Sequence, residues 1–425
     1  MRALASFPLI AAAIALPQTA HAQSVGVDSG DTAWMILCAL IVLIAALPGL
    51  ALRRAGLANA RNGLSAAAQG LGMAATASLA WGIAGYSLAY APGGGWLGGG
   101  ANLFMGGMAD LREGLTVPET AFALFQMTLA LLGVTLIAGA LAERARFGWM
   151  LLFAPLWLLI VYAPVARWMW GGGWLAELGA LDFAGALVVH LTAGCSALVL
   201  GLIIGPRERA EGGAHAPLLT LAGSAMLWVG LMAANGGWAL GAANDAASAL
   251  LNTHFAACAG LIGWALTDRL LGGRTSATGL ASGAIAGLVA ISASAGLVGG
   301  AGAMAIGLIA AIACRIVAGM IGRGRIDDPA RIFAVHGVGG LIGALLLIPF
   351  TPATLGGVGF DPSVGYGAII AAQLIGIAAI AVWAMLGSAI LGLGLSFILP
   401  MRVSADEEAT GLDAAHHGQQ AWDFR

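Results

Sequence analysis

Apolar runs close to 20 residues long recur eleven times along this chain, at 32–52, 64–90, 119–142, 148–166, 183–205, 217–240, 247–268, 277–297, 302–322, 332–351 and 364–399. A helix needs about 20 apolar residues to cross the hydrocarbon core of a bilayer. The spacing therefore predicts an all-α membrane protein with eleven transmembrane helices. The last run is the longest, which predicts a helix that tilts or projects past the bilayer. No run alternates with period two, which excludes a β-barrel. Only 9% of residues are charged and the mean hydropathy is +0.92. A soluble domain carries roughly 25% charged residues, so lipid is the solvent for most of this chain. The net charge of −2 gives no footing for a nucleic-acid partner.

Residues 1–22 resemble a cleaved signal peptide. Arg2 supplies the positive start, an apolar stretch from Leu4 to Leu16 is too short to span, and Ala20-His21-Ala22 forms an A-x-A cleavage site. That start places the mature N-terminus in the periplasm of a bacterial inner membrane, and eleven spans then put the C-terminus in the cytoplasm. The Arg distribution gives a separate test. Arg53, Arg54, Arg61, Arg144, Arg146, Arg207, Arg209, Arg269, Arg274, Arg323, Arg325, Arg402 and Arg425 fall on the expected cytoplasmic side, and only Arg112 and Arg167 fall outside. This is the positive-inside pattern. The chain thus divides into a signal peptide (1–22), a transmembrane domain (23–400) and a polar cytoplasmic tail (401–425).

Phe183-Ala184-Gly185-Ala186-Leu187-Val188-Val189-His190 in the fifth run is echoed by Phe333-Ala334-Val335-His336-Gly337 in the tenth. Equivalent histidines in two five-helix halves predict a five-plus-five inverted repeat, followed by the long last helix. Ionisable groups at membrane depth are costly and mark function by default. His190 and His336 are the leading candidates. Two neutral imidazoles bonded to each other leave a free ring nitrogen on each, able to relay a proton or to bond a small neutral amine; the alternative is two separately satisfied core histidines. Asp182 lies eight residues before His190, about 12 Å along a continuous helix. It can cap a helix start and place negative potential near an external cation site. Trp170, ahead of Gly171-Gly172-Gly173, offers an indole face to a small cation or an interfacial anchor. Cys38, Cys195, Cys258 and Cys314 share no metal-ligand spacing and read as small apolar residues. No nucleophile–base set, phosphate loop or metal cluster is visible, so neither an enzyme, a cofactor nor a metal site is expected.

These residues fall within a wider pattern. Gly139-Ala140-Leu141-Ala142-Glu143-Arg144, Trp170-Gly171-Gly172-Gly173, Gly179-Ala180-Leu181-Asp182-Phe183-Ala184-Gly185, Val189-His190, Asp327-Asp328-Pro329 and Val335-His336-Gly337 together resemble the ammonium transporter/Rhesus family, as do Gly356-Gly357-Val358-Gly359-Phe360 and the tail's Gly411-Leu412-Asp413 and His417-Gly418. The resemblance covers nearly all of the mature chain, in order. It implies a homotrimer with one pore per subunit. Ammonium, or its analogue methylammonium, is recruited at an external vestibule and deprotonated, and ammonia passes twin histidines, here His190 and His336. It assigns Trp170 and Asp182 to the vestibule and Phe125 to the pore gate. It makes the tail, through Gly411, Leu412, Asp413, His417 and Gly418, a docking site for a P-II-type nitrogen regulatory protein.

The chain also departs from the family pattern. Leu129 stands where a second gate phenylalanine is usual, Leu231 and Ala234 stand where aromatics are usual, and Trp238 stands where the vestibule serine is usual. An indole N–H cannot accept a hydrogen bond from ammonium as a serine oxygen can. Trp170 and Trp238 are therefore expected to bind the cation with two indole faces. Arg331 replaces an acidic residue five positions before His336, and Gln419 replaces a glutamate in the tail. Ammonium transport is the leading expectation. The alternatives are an ammonium sensor that conducts poorly, or a pore for another small amine or neutral solute.

Overall fold

The computed structural model describes residues 26–208, 214–321 and 326–422. The signal peptide, and Arg209, Arg323, Arg325 and Arg425 of the charge pattern, lie outside the described residues. Among those described, there is no β-strand and nine helices are long and apolar enough to cross a membrane. They are α1 (Ser29–Leu57), α3 (Glu119–Leu141), α4 (Phe147–Leu178), α5 (Ala186–Ile204), α6 (Pro217–Gly237), α7 (Asn244–Leu270), α9 (Gly300–Ile321), α10 (Ile332–Phe350) and α11 (Tyr366–Ser396). Two further helices occupy the remaining expected runs. The first, α2, is Gly63–Ala80 continued by Trp81–Gly85 and Tyr86–Tyr90; the second, α8 (Ala277–Ile291), is short. At 31 residues α11 is the longest unbroken helix, about 46 Å at 1.5 Å per residue.

Large apolar side chains stand exposed on the outer helices, among them Leu79, Leu218, Met320 and Ile390. Such a continuous apolar exterior suits lipid, not water. The interior is organised around α3, whose Phe125, Gln126, Leu129 and Thr135 are all buried. Most of its polar groups find partners: Tyr90 donates to Gln126 Oε1 at 2.7 Å, and Thr135 donates back to Leu131 O at 2.7 Å, while Gln126 Nε2 has none. The tail follows α11 as two short helices, α12 (Ala405–Thr410) and α13 (Leu412–His417). A capping box between Ser404 and Glu407 starts α12.

Glycines set the closest approach in the bundle. α5 and α10 cross where Gly194 meets Gly337, and a Cβ on Gly194 would lie 2.4 Å from the Gly337 backbone. Small residues at such a crossing let two membrane helices touch through their backbones. His190 sits one turn before Gly194, and His336 directly precedes Gly337. The crossing therefore carries the two imidazoles to the same place.

Candidate functional site

Both half-sites begin in the same way. α5 opens with a π-helical stretch, Ala186–Leu191, and α10 with another, Ile332–Gly337. The residue ahead of each is left-handed: Gly185 at φ 107° and Arg331 at φ 58°. A carboxylate then folds back onto the helix start. Asp182 accepts from the amides of Gly185 (3.3 Å), Leu187 (2.9 Å) and Val188 (2.8 Å). Asp328 accepts from those of Ile332 (2.7 Å) and Ala334 (3.1 Å). Each carboxylate precedes its histidine by eight residues. Helix N-termini leave amides without partners, and the two aspartates supply acceptors for the first amides of α5 and α10.

This geometry corrects one sequence expectation. Asp182 does not lie about 12 Å up a continuous helix, because the chain turns at Gly185 and helix begins only at Ala186. It also adds Asp328, which the sequence displays only as part of a motif. The equal spacing to the two histidines was the available signal.

His190 and His336 are 1% and 2% exposed, and their Nδ1 atoms are 3.2 Å apart. One Nδ1 must carry the shared proton and the other accept it. The ring that donates then has a bare Nε2, and the ring that accepts has an Nε2–H. A neutral pair thus presents one acceptor and one donor, matched to a small neutral amine with both N–H groups and a lone pair.

The expected mouth residues also come together. Trp238 ends α6 with its ring centroid 6.2 Å from Phe125 and 4.0 Å from Trp170. It does not turn to lipid. The two indoles lie against each other, so no ion fits between them, and a cation can meet Trp238 only from the side of the adjoining cavity. Trp170 donates from Nε1 to Asp182 O at 2.9 Å, which ties its ring to the loop before α5. The cavity, about 510 Å3, is lined by Asp182, Phe183, Trp238, Asp245, Phe360 and Asp361. Phe125 packs over Gly237, where a Cβ would meet its ring at 2.6 Å, and Leu129 is buried one turn further along α3. Leu231 and Ala234 are also buried. Among the described residues no His, Cys, Asp and Glu side chains cluster as a metal site would need, and all four cysteines are free.

At the opposite end the tail is docked. Asp413 accepts from the amides of Leu64 (3.1 Å) and Ser65 (2.7 Å), capping the start of α2, and the Leu412 amide donates to Asn62 Oδ1 at 2.7 Å. A Cβ on Gly411 (φ 99°) would crowd Arg61, and His417 packs edge-on against Phe147. Gly418, at φ 61°, ends α13. Glu407 pairs with Arg146 at 3.3 Å and Glu408 with Arg402 at 2.9 Å. Beneath them Asp327 receives Arg144 and Arg207, and Arg207 also binds Glu143. Burial alone would raise the Asp327 carboxyl, but the Arg207 hydrogen bonds and the charges of Arg144 and Arg207 hold it below the ordinary carboxylate range. Sequence reasoning missed this network, since its members come from three loops.

A bundle of long apolar helices, two of which cross at glycines beside a buried histidine pair, is a multi-pass membrane protein. The family model of the Ammonium Transporter Family matches residues 33–422, and the chain belongs to that family. The chain is 39% identical to an ammonium transporter of Bacillus subtilis, over 92% of this chain and 98% of that protein. Among solved structures it is similar to a sensor Amt protein (30% identity, TM-score 0.85, covering 91% of this chain and 98% of that one). It is also similar to Mep2 of Candida albicans (33% identity, TM-score 0.81, covering 90% and 88%). The family is one of transporters and not of enzymes.

Proposed function

We propose that this protein moves ammonium-derived ammonia through a pore whose narrow part is lined by His190 and His336. The observation that carries the reading is the 3.2 Å Nδ1–Nδ1 contact at the glycine crossing of α5 and α10. The pair offers one donor and one acceptor to a neutral amine and lies buried where a desolvated cation is disfavoured. Ammonium gathers in the cavity on the outer face of Trp238, near Asp182, Asp245 and Asp361, and gives its proton to water in that cavity before ammonia passes Phe125 and Leu129. In this reading there are eleven spans, α1–α5 and α6–α10 forming the inverted repeat. The N-terminus is periplasmic, the C-terminus cytoplasmic, and the pore-bearing chain forms a homotrimer in a bacterial inner membrane. Labelled methylammonium uptake into cells lacking other transporters, with current recordings on reconstituted protein, tests it. Uptake competed by ammonium and lost in His190→Ala or His336→Ala is expected; wild-type flux in both variants refutes it.

A second reading has a specific observation behind it. The Trp170–Trp238 stack, leaning on Phe125, crowds the entry, and such a mouth suits a protein that binds ammonium and conducts poorly. Ammonium binding without uptake is its signature. The tail, seated on loops from three helix pairs, is a surface for a P-II-type nitrogen regulatory protein. Pull-down with that protein in ATP, ADP and 2-oxoglutarate tests the partnership, and absence of binding in every condition counts against it.

A further inference from the structure

Two arginines converge at the end of the bundle that carries the tail. Arg53, in the last turns of α1, is 3% exposed. It donates from Nη1 to Ser224 Oγ of α6 at 2.8 Å and from Nη2 to Ser282 Oγ of α8 at 3.2 Å. Arg331, just before α10, donates from Nη1 to the same Ser282 Oγ at 3.1 Å. The two guanidiniums therefore share one neutral oxygen and can be no further apart, at those nitrogens, than the two bond lengths combined.

Among the described residues no carboxylate lies within ion-pair distance of either arginine. The nearby acids are committed elsewhere. Asp268 pairs with Arg315, and Asp328 is turned into the start of α10. Arg315 and Arg331 both lie over the Trp264 ring, at 6.0 and 5.4 Å, so a third cation borders the place. The serines cannot neutralise it. Each donates its only proton to its own helix, Ser224 to Thr220 O and Ser282 to Thr278 O, and offers the arginines lone pairs alone. Each guanidinium has five N–H donors, and these bonds account for two of Arg53's and one of Arg331's. Arg53 is buried and Arg331 partly so, and charges of one sign taken out of water are costly unless paired.

We propose that Arg53 and Arg331 hold a halide-sized inorganic anion, chloride under ordinary conditions, beside Ser282. A halide has the charge that the serines lack, needs only donors around it, and asks for little space. Arg331 directly precedes the helix that bears His336, so the bound anion also fixes the start of α10. This site stands apart from the transport reading and does not depend on it.

The test uses the full-length protein in neutral detergent, exchanged into gluconate. Sodium bromide or chloride is titrated at constant ionic strength while thermal unfolding is followed, and crystals soaked in bromide are examined for anomalous scattering. The expected result is a saturable rise in Tm of a few degrees with either halide, and an anomalous peak between Arg53 and Arg331. Arg331→Gln should weaken half-saturation about tenfold or more, since it removes a charge-assisted contact. Arg331→Asp supplies a resident carboxylate and should abolish the response without lowering Tm in gluconate; if that variant does not fold, the Arg331→Gln titration decides. No bromide peak, or an identical halide response in wild type and Arg331→Gln, overturns the proposal. A Tm rise with phosphate alone, or only on adding phosphatidylglycerol, also overturns it, because the occupant would then be a phosphate group.

Discussion

Replacing Asp182 by Ala should separate the structural role of this carboxylate from an electrostatic one. Its Oδ2 accepts two short bonds, from Leu187 and Val188, and Oδ1 a long one from Gly185. All three amides are buried. A stranded buried donor costs about 1–3 kcal/mol, so losing the two short bonds destabilises the start of α5 by about 2–6 kcal/mol. Asp182→Asn behaves differently. With its amide oxygen in the Oδ2 position it keeps both short bonds; it gives up the long Gly185 bond, because Nδ2 cannot accept, and the charge at a helix N-terminus, about 0.3–2 kcal/mol. The expected order of thermal stability in detergent is therefore wild type, then Asn slightly lower, then Ala much lower. Methylammonium uptake should follow the same order, because α5 positions His190. An Ala variant as stable and active as wild type would show the cap to be idle. An Asn variant as impaired as Ala would show that charge, not hydrogen bonding, is what the site needs.

Gly185→Ala should be nearly as damaging, since φ is 107° and the new Cβ would lie 2.7 Å from Val189; strain of about 1–3 kcal/mol is read as a lower unfolding temperature. Trp238→Ser breaks the stack on Trp170 and supplies an oxygen acceptor, so the preference for ammonium over methylammonium in competitive uptake should rise about fivefold, the worth of roughly one net hydrogen bond; an unchanged ratio argues against Trp238 contacting the cation. Asp327, held below its ordinary range, adds stability that is complete above its unfolded pKa of about 3.9 and is lost as pH falls through its lower folded value. Acid unfolding of wild type below about pH 4 should therefore be steeper than that of Asp327→Asn, and limited proteolysis should cut the tail of that variant faster at neutral pH.

Much of this molecule is legible in one dimension. Lipid as solvent imposes a run of apolar residues on every span, so the helix positions and the long α11 follow from hydropathy, whereas α8 ends at Ile291, short of the run expected to 297. A histidine in such a run stands out because burial at depth is costly, and that cost together with the echo of segment 183–190 at 333–336 marks the pair His190 and His336, where cost alone would also mark His254. The same cost made Asp182 conspicuous, but its action was hidden. Whether a carboxylate eight residues from a histidine runs along a helix or folds back to cap it depends on the left-handed turn at Gly185, and only the three-dimensional chain reveals that. Asp328 stayed hidden for the same reason. Tertiary structure alone decided that Trp170 and Trp238 lie on each other instead of flanking a cation, because ring orientation depends on what fills the space around them. It also decided the meeting of Arg53 with Arg331, and of Asp327 with Arg144 and Arg207. Those partners are separated by many spans, and no periodicity in a sequence encodes which distant loops and helix ends a bundle brings together.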